Sequence, residues 1–480
     1  MSNPQKVLRI IVLVTFLGAL GAGCAPTPVP TPVPPTPTKP PPPPPTATAV
    51  PAVELTLTCR CVEGGVNANM VKWFKTYLAP KFAEKMKAEG KNVTVKLVEF
   101  GGSDEALKEQ YALDLKVGKG YDVFAFDGFW VPEFVAGGLL KPLDEVAGPE
   151  VKQWEGWGHI SPGLQQILGY QGKLYGVATG TDVREIFYRK DLFKKAGIAE
   201  PWQPKSWAEL LDTARKIKKA LPDVTPIQLN AGTAMGEATT MQGYFMALLG
   251  AGIHMYDFEK GKWIVKSPAL VDALNLYKTI YVDEKLGDAR IQLLKDGRNQ
   301  SFAQFRDGKI AMLVEGDWFW RSVIATGEWK IPNRNEVVSF AKMPAKEPGK
   351  GYKGQDFVTI SGGTGYVLNP KTKYPKEAWA FLSFMFSKEA LMAFQELEPR
   401  IRARDDVPVT GDPVMTEMAK QLLGLTTVRP MLPEYPKISA EAQLLTERVV
   451  SGEMTPEKAL EAYAKALTAL VGPDKVIELK

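Results

Sequence analysis

Segments with the pattern of β-strands alternate with helix-like segments from Val53 onward, and this alternation is the strongest constraint on the fold. Residues 92–100 and 121–126 have the apolar and β-branched character of strands, and a helix-prone stretch follows each of them. A chain of 480 residues is longer than one hydrophobic core supports. We therefore predict an α/β fold with two lobes, in which helices cover the sheets.

Several helices are predicted from the residues at their N-termini. Ser206 and Glu209 have the spacing of a capping box, while Ser267 and Thr455 each precede a proline suited to a first helical turn. Apolar residues after Ser206 recur at helical spacing, so this helix is expected to bury one face in the core.

The first 23 residues predict an export signal. Lys6 and Arg9 precede the apolar run 10–17, and small residues then lead to Cys24. Residues 20–24 resemble a bacterial lipobox, although Gly21 occupies the position at which a lipobox usually has leucine. We expect a signal peptide at 1–23 and a lipidated Cys24. Plain secretion with a free Cys24 and an uncleaved membrane anchor are the alternatives.

A linker is predicted at residues 24–52, where proline, threonine, alanine and valine dominate. Such a composition favours an extended polyproline-like chain with no packed core. Behind an acylated cysteine, it would act as a spacer that holds a folded body away from a membrane; the alternative is a disordered tail.

Charge and cysteine content exclude some classes of protein. The 59 Lys+Arg against 54 Asp+Glu form no dense basic block after the N-terminus, so we expect no nucleic-acid partner. With only His159 and His254, the chain has no zinc-ligand spacing, and we expect neither a metal nor a cofactor. Cys59 and Cys61 would lie on one face of a strand, where a disulfide would strain the backbone, so we expect two buried, unbonded cysteines.

Common catalytic motifs are missing from the sequence. It contains no Gly-x-Ser-x-Gly elbow, no His-Glu-x-x-His and no phosphate-binding loop of the Gly-x-x-x-x-Gly-Lys-Ser/Thr type. We therefore expect a protein that is not an enzyme. A glycosidase stays the alternative, because it needs only two carboxylates from distant positions.

Four groups of motifs occur in one order along the body of the chain: 121–130 with 137–144; 174–182 with 188–193 and 206–210; 305–312 with 316–320; and 362–368 with 376–382 and 400–402. Together they resemble the family 1 extracellular solute-binding proteins of ABC importers, the group that includes the maltose/maltodextrin-binding protein. Residue 189 departs from the usual Tyr-Asn-Lys-Asp-Leu of the second group by being arginine.

The resemblance implies a two-lobe periplasmic-binding-protein fold of type II with hinge crossings and a central ligand cleft. We expect crossings near 180–186, 336–342 and 364–370. The expected lobes comprise 53–182 with 340–366 and 183–339 with 367–480.

The implied function is that of an extracytoplasmic, lipid-anchored substrate-binding protein. It would bind a sugar, oligosaccharide or polyol as a monomer and deliver it to the permease subunits of an ABC importer. A secreted carbohydrate-active enzyme and a receptor that feeds a membrane sensor are the alternatives.

A sugar site needs aromatic faces together with hydrogen-bonding groups. By the resemblance, Trp318 is the stacking platform and Asp182 an acidic ligand contact. Trp130 and Trp320 are candidates with core packing as the alternative, and Asp127 and Arg402 are candidates with a surface ion pair as the alternative. Gly363 and Thr364 are candidates for backbone and hydroxyl donors at the last crossing, with a turn as the alternative explanation of the glycine. Position alone adds Glu63 and Gln242.

Overall fold

The computed structural model describes residues 51–480, and strands and helices alternate along them. The expected signal peptide 1–23, Cys24 and the linker up to residue 50 lie outside the described residues. The strands are β1 (Ala52–Arg60), β2 (Asn92–Phe100), β3 (Val123–Asp127), β4 (Gly169–Tyr170), β5 (Lys173–Leu174), β6 (Gly176–Ala178), β7 (Arg184–Arg189), β8 (Thr225–Gln228), β9 (Tyr256–Asp257), β10 (Lys262–Lys266), β11 (Ile310–Gly316), β12 (Val338–Ala341), β13 (Met343–Pro344), β14 (Phe357–Ser361), β15 (Thr364–Leu368), β16 (Thr426–Val428) and β17 (Val476–Glu478). The α-helices are α1 (Ala68–Trp73), α2 (Ala79–Ala88), α3 (Asp104–Lys116), α4 (Val131–Ala136), α5 (Leu143–Ala147), α6 (Pro162–Gln165), α7 (Lys190–Lys195), α8 (Trp207–Ala220), α9 (Phe245–Gly250), α10 (Pro268–Lys278), α11 (Ala289–Gln292), α12 (Gly297–Arg306), α13 (Arg334–Val337), α14 (Pro375–Met385), α15 (Lys388–Leu397), α16 (Pro413–Leu422), α17 (Tyr435–Val450) and α18 (Pro456–Val471).

A five-stranded sheet forms the centre of the first lobe. Its strand order is β2-β1-β3-β15-β6, with β1 parallel to β2 and β3, and β15 antiparallel to β3 and β6. Helices α1, α14 and α15 cover one face, where Trp73 stacks on Phe394 with ring centroids 4.8 Å apart. Because β1 and β3 are parallel, their carboxyl ends meet at one edge of the sheet, and ligand sites of α/β proteins form at such edges.

A four-stranded sheet with the order β12-β7-β11-β8 forms the centre of the second lobe. Every residue of β7 and of β11 is buried, which explains the apolar run Ile310–Val314 of β11; β7 is buried although three of its six residues are charged. Residues 51–480 also contain two three-stranded sheets, one of β13, β14 and β16 and the other of β9, β10 and β17. Strands β4 and β5 form a separate pair.

The predicted helix starts are confirmed. Ser206 accepts a hydrogen bond from the Glu209 amide at 3.3 Å, and the Glu209 carboxylate in turn accepts one from the Lys205 amide at 2.8 Å. Ser267 and Thr455 cap α10 and α18 through their side-chain oxygens. These hydrogen bonds satisfy amides that a first helical turn leaves unpaired.

The chain runs between the two sheets at three places: residues 179–183, 362–363 and 398–412. The expected crossing at 336–342 is wrong, because β12 pairs with β7 inside the second sheet. The expected lobe boundaries also differ from the strand pairing. Residues 340–361 lie with the second sheet, whereas β15 and helices α14 and α15 lie with the first.

The crossing segments lie directly against each other. Gly180 forms a β-bridge with Arg402, and the Thr181 hydroxyl donates to the Gly362 carbonyl at 3.1 Å. A Cβ at position 180 would lie 2.0 Å from the Ile401 carbonyl oxygen, so only glycine permits this approach. The three segments therefore form one joint between the lobes.

Cys59 and Cys61 are both buried, but they are joined by a disulfide, so the expectation of unbonded cysteines is wrong. The expectation assumed that the strand continues through both residues. Instead β1 ends at Arg60, where the Cys61 amide donates to the Cys59 carbonyl at 2.9 Å. This tight turn brings the two side chains together, with the Cα atoms 5.4 Å apart.

Candidate functional site

Asp182 lies on the first crossing and connects it to the second. Its Oδ1 accepts a hydrogen bond of 2.6 Å from the Gly362 amide and is also in contact with the Arg184 guanidinium. The Asp182 side chain keeps 17% of its surface exposed, whereas that of Arg184 keeps 5%. Asp182 therefore holds the joint together and orients a buried cation beside it.

Trp318 lies two residues after the end of β11 and is half-buried. The Arg184 guanidinium carbon lies 4.8 Å from the centroid of the Trp318 ring, and that of Arg298 lies 5.9 Å from it. Arg184 also donates to the Gln242 side-chain oxygen at 3.3 Å. Three residues predicted from the sequence, Asp182, Gln242 and Trp318, thus converge on an arginine that the prediction missed.

Asp127 stands at the carboxyl end of β3 and is linked to the second lobe by Arg429. The Arg429 guanidinium donates to Asp127 at 2.8 Å and to Glu237 at 3.0 Å, and it lies 4.2 Å from the centroid of the Phe129 ring. The hydroxyl of Tyr435 also donates to Glu237, at 2.6 Å. We call the residues Asp127, Asp182, Arg184, Gln242, Trp318 and Arg429 the inter-lobe site.

The charges of this site are strongly perturbed. Burial raises the pKa of Asp127 to about 6, and the neighbouring Glu237 carboxylate adds to this effect, although Arg429 opposes it. The pKa of Arg429 is raised, because the attraction of Asp127 and Glu237 outweighs the cost of burying the cation. Arg429 is therefore the fixed charge that holds two acids of different lobes.

Two further acids are completely buried in the second lobe beside the site. Neither Glu185 nor Asp317 has a side-chain hydrogen-bond partner among residues 51–480, although Asp317 lies 3.5 Å from the Arg321 Nε. Burial raises the pKa of Glu185 well above its usual value and that of Asp317 to about 6. Burial therefore disfavours the charged form of both acids.

Gly363 and Thr364 lie at the same edge of the first sheet as Asp127. The Gly363 carbonyl accepts from the Gly128 amide at 3.0 Å, and the exposed Thr364 opens β15 opposite Asp127. A Cβ at position 363 would lie 2.7 Å from the Ile167 side chain, so close packing requires this glycine. Both residues therefore lie where the first sheet meets the second crossing segment.

The structure places three other candidates away from the site. Trp130 packs in the core of the first lobe, with its ring centroid 5.2 Å from that of Phe126. Trp320 is completely buried in the second lobe and donates to Asp412 at 2.8 Å. Glu63 is exposed and pairs with Lys75 at 2.6 Å. The alternative interpretation of core packing fits the contacts of both tryptophans.

Arg184, Arg298, Glu237 and Arg429 are the polar residues that the sequence interpretation missed. One signal was available for Arg184, since it follows Asp182 by two positions and so points to the same side of an extended chain. Arg429 gave no such signal, because it is 302 residues from the Asp127 that it binds.

One group with metal-ligand chemistry lies outside the site. The side chains of His159, Asp405 and Asp406 offer ligand atoms within 4.8 Å of one another. Arg404 already binds Asp406 through both carboxylate oxygens, at 2.9 and 3.0 Å. A cation at this position would therefore have to compete with a guanidinium for one of its three ligands.

Two α/β lobes that meet at three crossing segments, with charged groups and a half-buried tryptophan between them, define the class of two-lobe solute-binding proteins. The chain belongs to the family described as bacterial extracellular solute-binding protein, whose model matches residues 67–392. This is a family of binding proteins that act outside the cytoplasm. Within residues 51–480, no helix has the length and apolarity that crossing a membrane would require.

Similar proteins include relatives from several bacteria. A binding protein of Brucella abortus is 26% identical over 368 residues, which cover 75% of this chain and 82% of the relative. The mannitol-binding protein of Pseudomonas aeruginosa is 20% identical over 396 residues, with the same two coverages. An ABC transporter solute-binding protein of Thermotoga lettingae, solved with α-D-tagatose bound, superimposes with a TM-score of 0.71 at 26% identity, covering 88% of this chain and all of that one. The chain accordingly functions as the substrate-binding component of an ABC importer.

Proposed function

We propose that the solute is a sugar or a polyol, bound at the inter-lobe site between the two lobes. The observation that carries this proposal is the half-buried Trp318, which lies among hydrogen-bonding side chains of Arg184, Asp182 and Gln242. An aromatic ring packs against the C–H face of a sugar, while charged and amide groups bind its hydroxyls. The mannitol-binding and tagatose-bound relatives support the same class of ligand.

Binding would then close the two lobes around the solute, and the closed protein would present it to the permease subunits of the importer. The joint of crossing segments, with Gly180 and Gly363 packed against neighbouring backbone and side chains, would be the hinge. No chemical step on the solute is part of this function. Asp127 and Glu237, two carboxylates that face each other across the lobes, are both bound by Arg429, which leaves neither free as a general acid or base.

A ligand screen tests this proposal. We expect neutral monosaccharides, oligosaccharides and polyols to include at least one compound that raises the thermal midpoint of unfolding by several degrees, since only the folded protein binds it. Chromatography of the same mixture should recover the compound unchanged. If the compound is cleaved, and cleavage is lost in Asp127→Asn or Asp182→Asn, the protein is an enzyme and the binding function is wrong.

We also propose that a lipid on Cys24 anchors the protein to the outer face of the cell membrane as a monomer, with residues 25–52 as the spacer. The short apolar run and the small residues before Cys24 support this arrangement. Cys24→Ala should move the protein from the membrane fraction to the soluble fraction. Equal recovery of the wild type and Cys24→Ala in the soluble fraction would contradict the anchor.

A further inference from the structure

Arg402 is a buried cation, and two of its three guanidinium nitrogens have no hydrogen-bond partner among residues 51–480. Only 5% of its surface is exposed, and its Nε donates to the Gln395 side-chain oxygen at 3.1 Å. The guanidinium stacks over Phe394, 4.6 Å from the ring centroid. Among residues 51–480, neither Nη1 nor Nη2 has a hydrogen-bond partner. Such a group is costly to bury unless an acceptor of the right charge binds it.

Positive charge is in excess around Arg402. Arg321, Arg400 and Arg402 lie around the carboxylate of Glu398, which contacts Arg321 directly and lies 3.7 Å from the Arg400 Nε. Burial lowers the pKa of Arg402 well below its usual value, and repulsion by Arg400 adds to this effect. Asp317 offsets part of the charge, but it faces Arg321 at 3.5 Å. The cluster thus holds three arginines against two carboxylates, Glu398 and Asp317.

The cluster adjoins the inter-lobe site. Arg402 forms a β-bridge with Gly180, which precedes Asp182 by two residues on the first crossing. On the other side, Asp317 immediately precedes Trp318, and its amide donates to the Val183 carbonyl at 3.1 Å. A solute held by Asp182 and Trp318 would therefore lie close to Arg402, with parts of both lobes around it.

We propose that the solute is an acidic saccharide, and that Arg402 binds its carboxylate or phosphate group. This inference rests on the proposed sugar-binding function and narrows its class of ligand. The two free Nη groups form the planar fork that matches two oxygens of a carboxylate or phosphate. A hydroxyl group carries no charge, so a neutral sugar leaves the excess positive charge in place.

Paired ligands test the charge of the solute on the wild-type protein. Isothermal titration calorimetry would compare galactose with galacturonate, and glucose with glucuronate and with glucose 1-phosphate, at fixed ionic strength. We expect the acidic member of a pair to bind at least tenfold more tightly than the neutral one. The uronates and the phosphate distinguish a carboxylate from a phosphate as the preferred group.

Variants then assign the preference to Arg402. Arg402→Gln should remove the preference by weakening the acidic ligand at least tenfold, and leave the neutral sugar within about threefold. Arg404→Gln is the matched control, because Arg404 lies two residues along the same segment and is paired with Asp406 and Glu155. We expect Arg404→Gln to keep the preference.

Three outcomes would overturn the inference. If the wild type binds a neutral sugar as tightly as its acidic counterpart, the solute is neutral and the sugar-binding function still stands. If Arg402→Gln keeps the full preference for the acidic ligand, a cation other than Arg402 binds the carboxylate or phosphate group. If the protein binds neither neutral nor acidic saccharides, the sugar-binding function and this inference both fail.

Discussion

Arg429→Gln is expected to weaken solute binding by about 100-fold and to separate the lobes. Arg429 is the only cation within hydrogen-bonding distance of both Asp127 and Glu237 among residues 51–480, so its loss leaves two partly buried carboxylates facing each other. Removing one partner of a buried ion pair typically costs about 3–5 kcal/mol, and about 1.4 kcal/mol changes an equilibrium constant tenfold. Most of this cost falls on the state in which the lobes are in contact, because only that state buries both acids.

Small-angle X-ray scattering would show the separation as a larger radius of gyration, and calorimetry would give the affinity. Arg189→Gln is the matched control, since Arg189 is equally buried but binds Asp191 and the Phe305 carbonyl within the second lobe. It should lower the thermal midpoint and leave the radius of gyration unchanged. Unchanged affinity and unchanged radius in Arg429→Gln would show that Arg429 does not join the lobes in solution.

Trp318→Ala and Trp320→Ala are expected to give opposite results, although the two residues are two positions apart. Trp320 is completely buried and donates to Asp412, so its truncation should lower the free energy of unfolding by about 3–5 kcal/mol. Trp318 is half-buried and contacts the guanidinium of Arg184. Its truncation should weaken sugar binding at least tenfold and change the free energy of unfolding by about 1 kcal/mol.

Chemical denaturation without ligand and calorimetry with ligand would measure both quantities on each variant. Trp318→Phe serves as the control, because it keeps an aromatic face and should retain more of the affinity than Trp318→Ala. Trp318 would be a core residue, and not the stacking platform, if Trp318→Ala lowered the free energy of unfolding as much as Trp320→Ala and left the affinity unchanged.

Much of the local structure could be predicted from neighbouring residues. Strand β2 occupies 92–100 as predicted, and Ser206, Ser267 and Thr455 begin helices as their capping patterns indicate. Helix caps and strand patterns depend on interactions between residues a few positions apart, so both can be predicted from the local sequence. The order of the four motif groups also identified the family, because each motif is a contiguous segment.

Predictions that depended on distant partners were less successful. Residues 336–342 have the pattern of a strand, but that pattern does not specify whether the strand crosses to the first sheet or pairs with β7. The state of Cys59 and Cys61 depended on a turn at Arg60 that ends β1. Trp318 and Trp320 belong to one motif, and only packing separates a half-exposed ring from a buried one.

The α/β class, the helix and strand starts and membership of the solute-binding family could be read from short-range patterns of residues. Which charges meet between the lobes depends on long-range packing, which no local pattern specifies. Arg429 binds Asp127 across 302 residues of chain, and Arg184 lies over Trp318 across 134 positions. Burial then sets the chemistry of these groups, since it raises the pKa of Asp127 and leaves both Nη groups of Arg402 without a hydrogen-bond partner among residues 51–480.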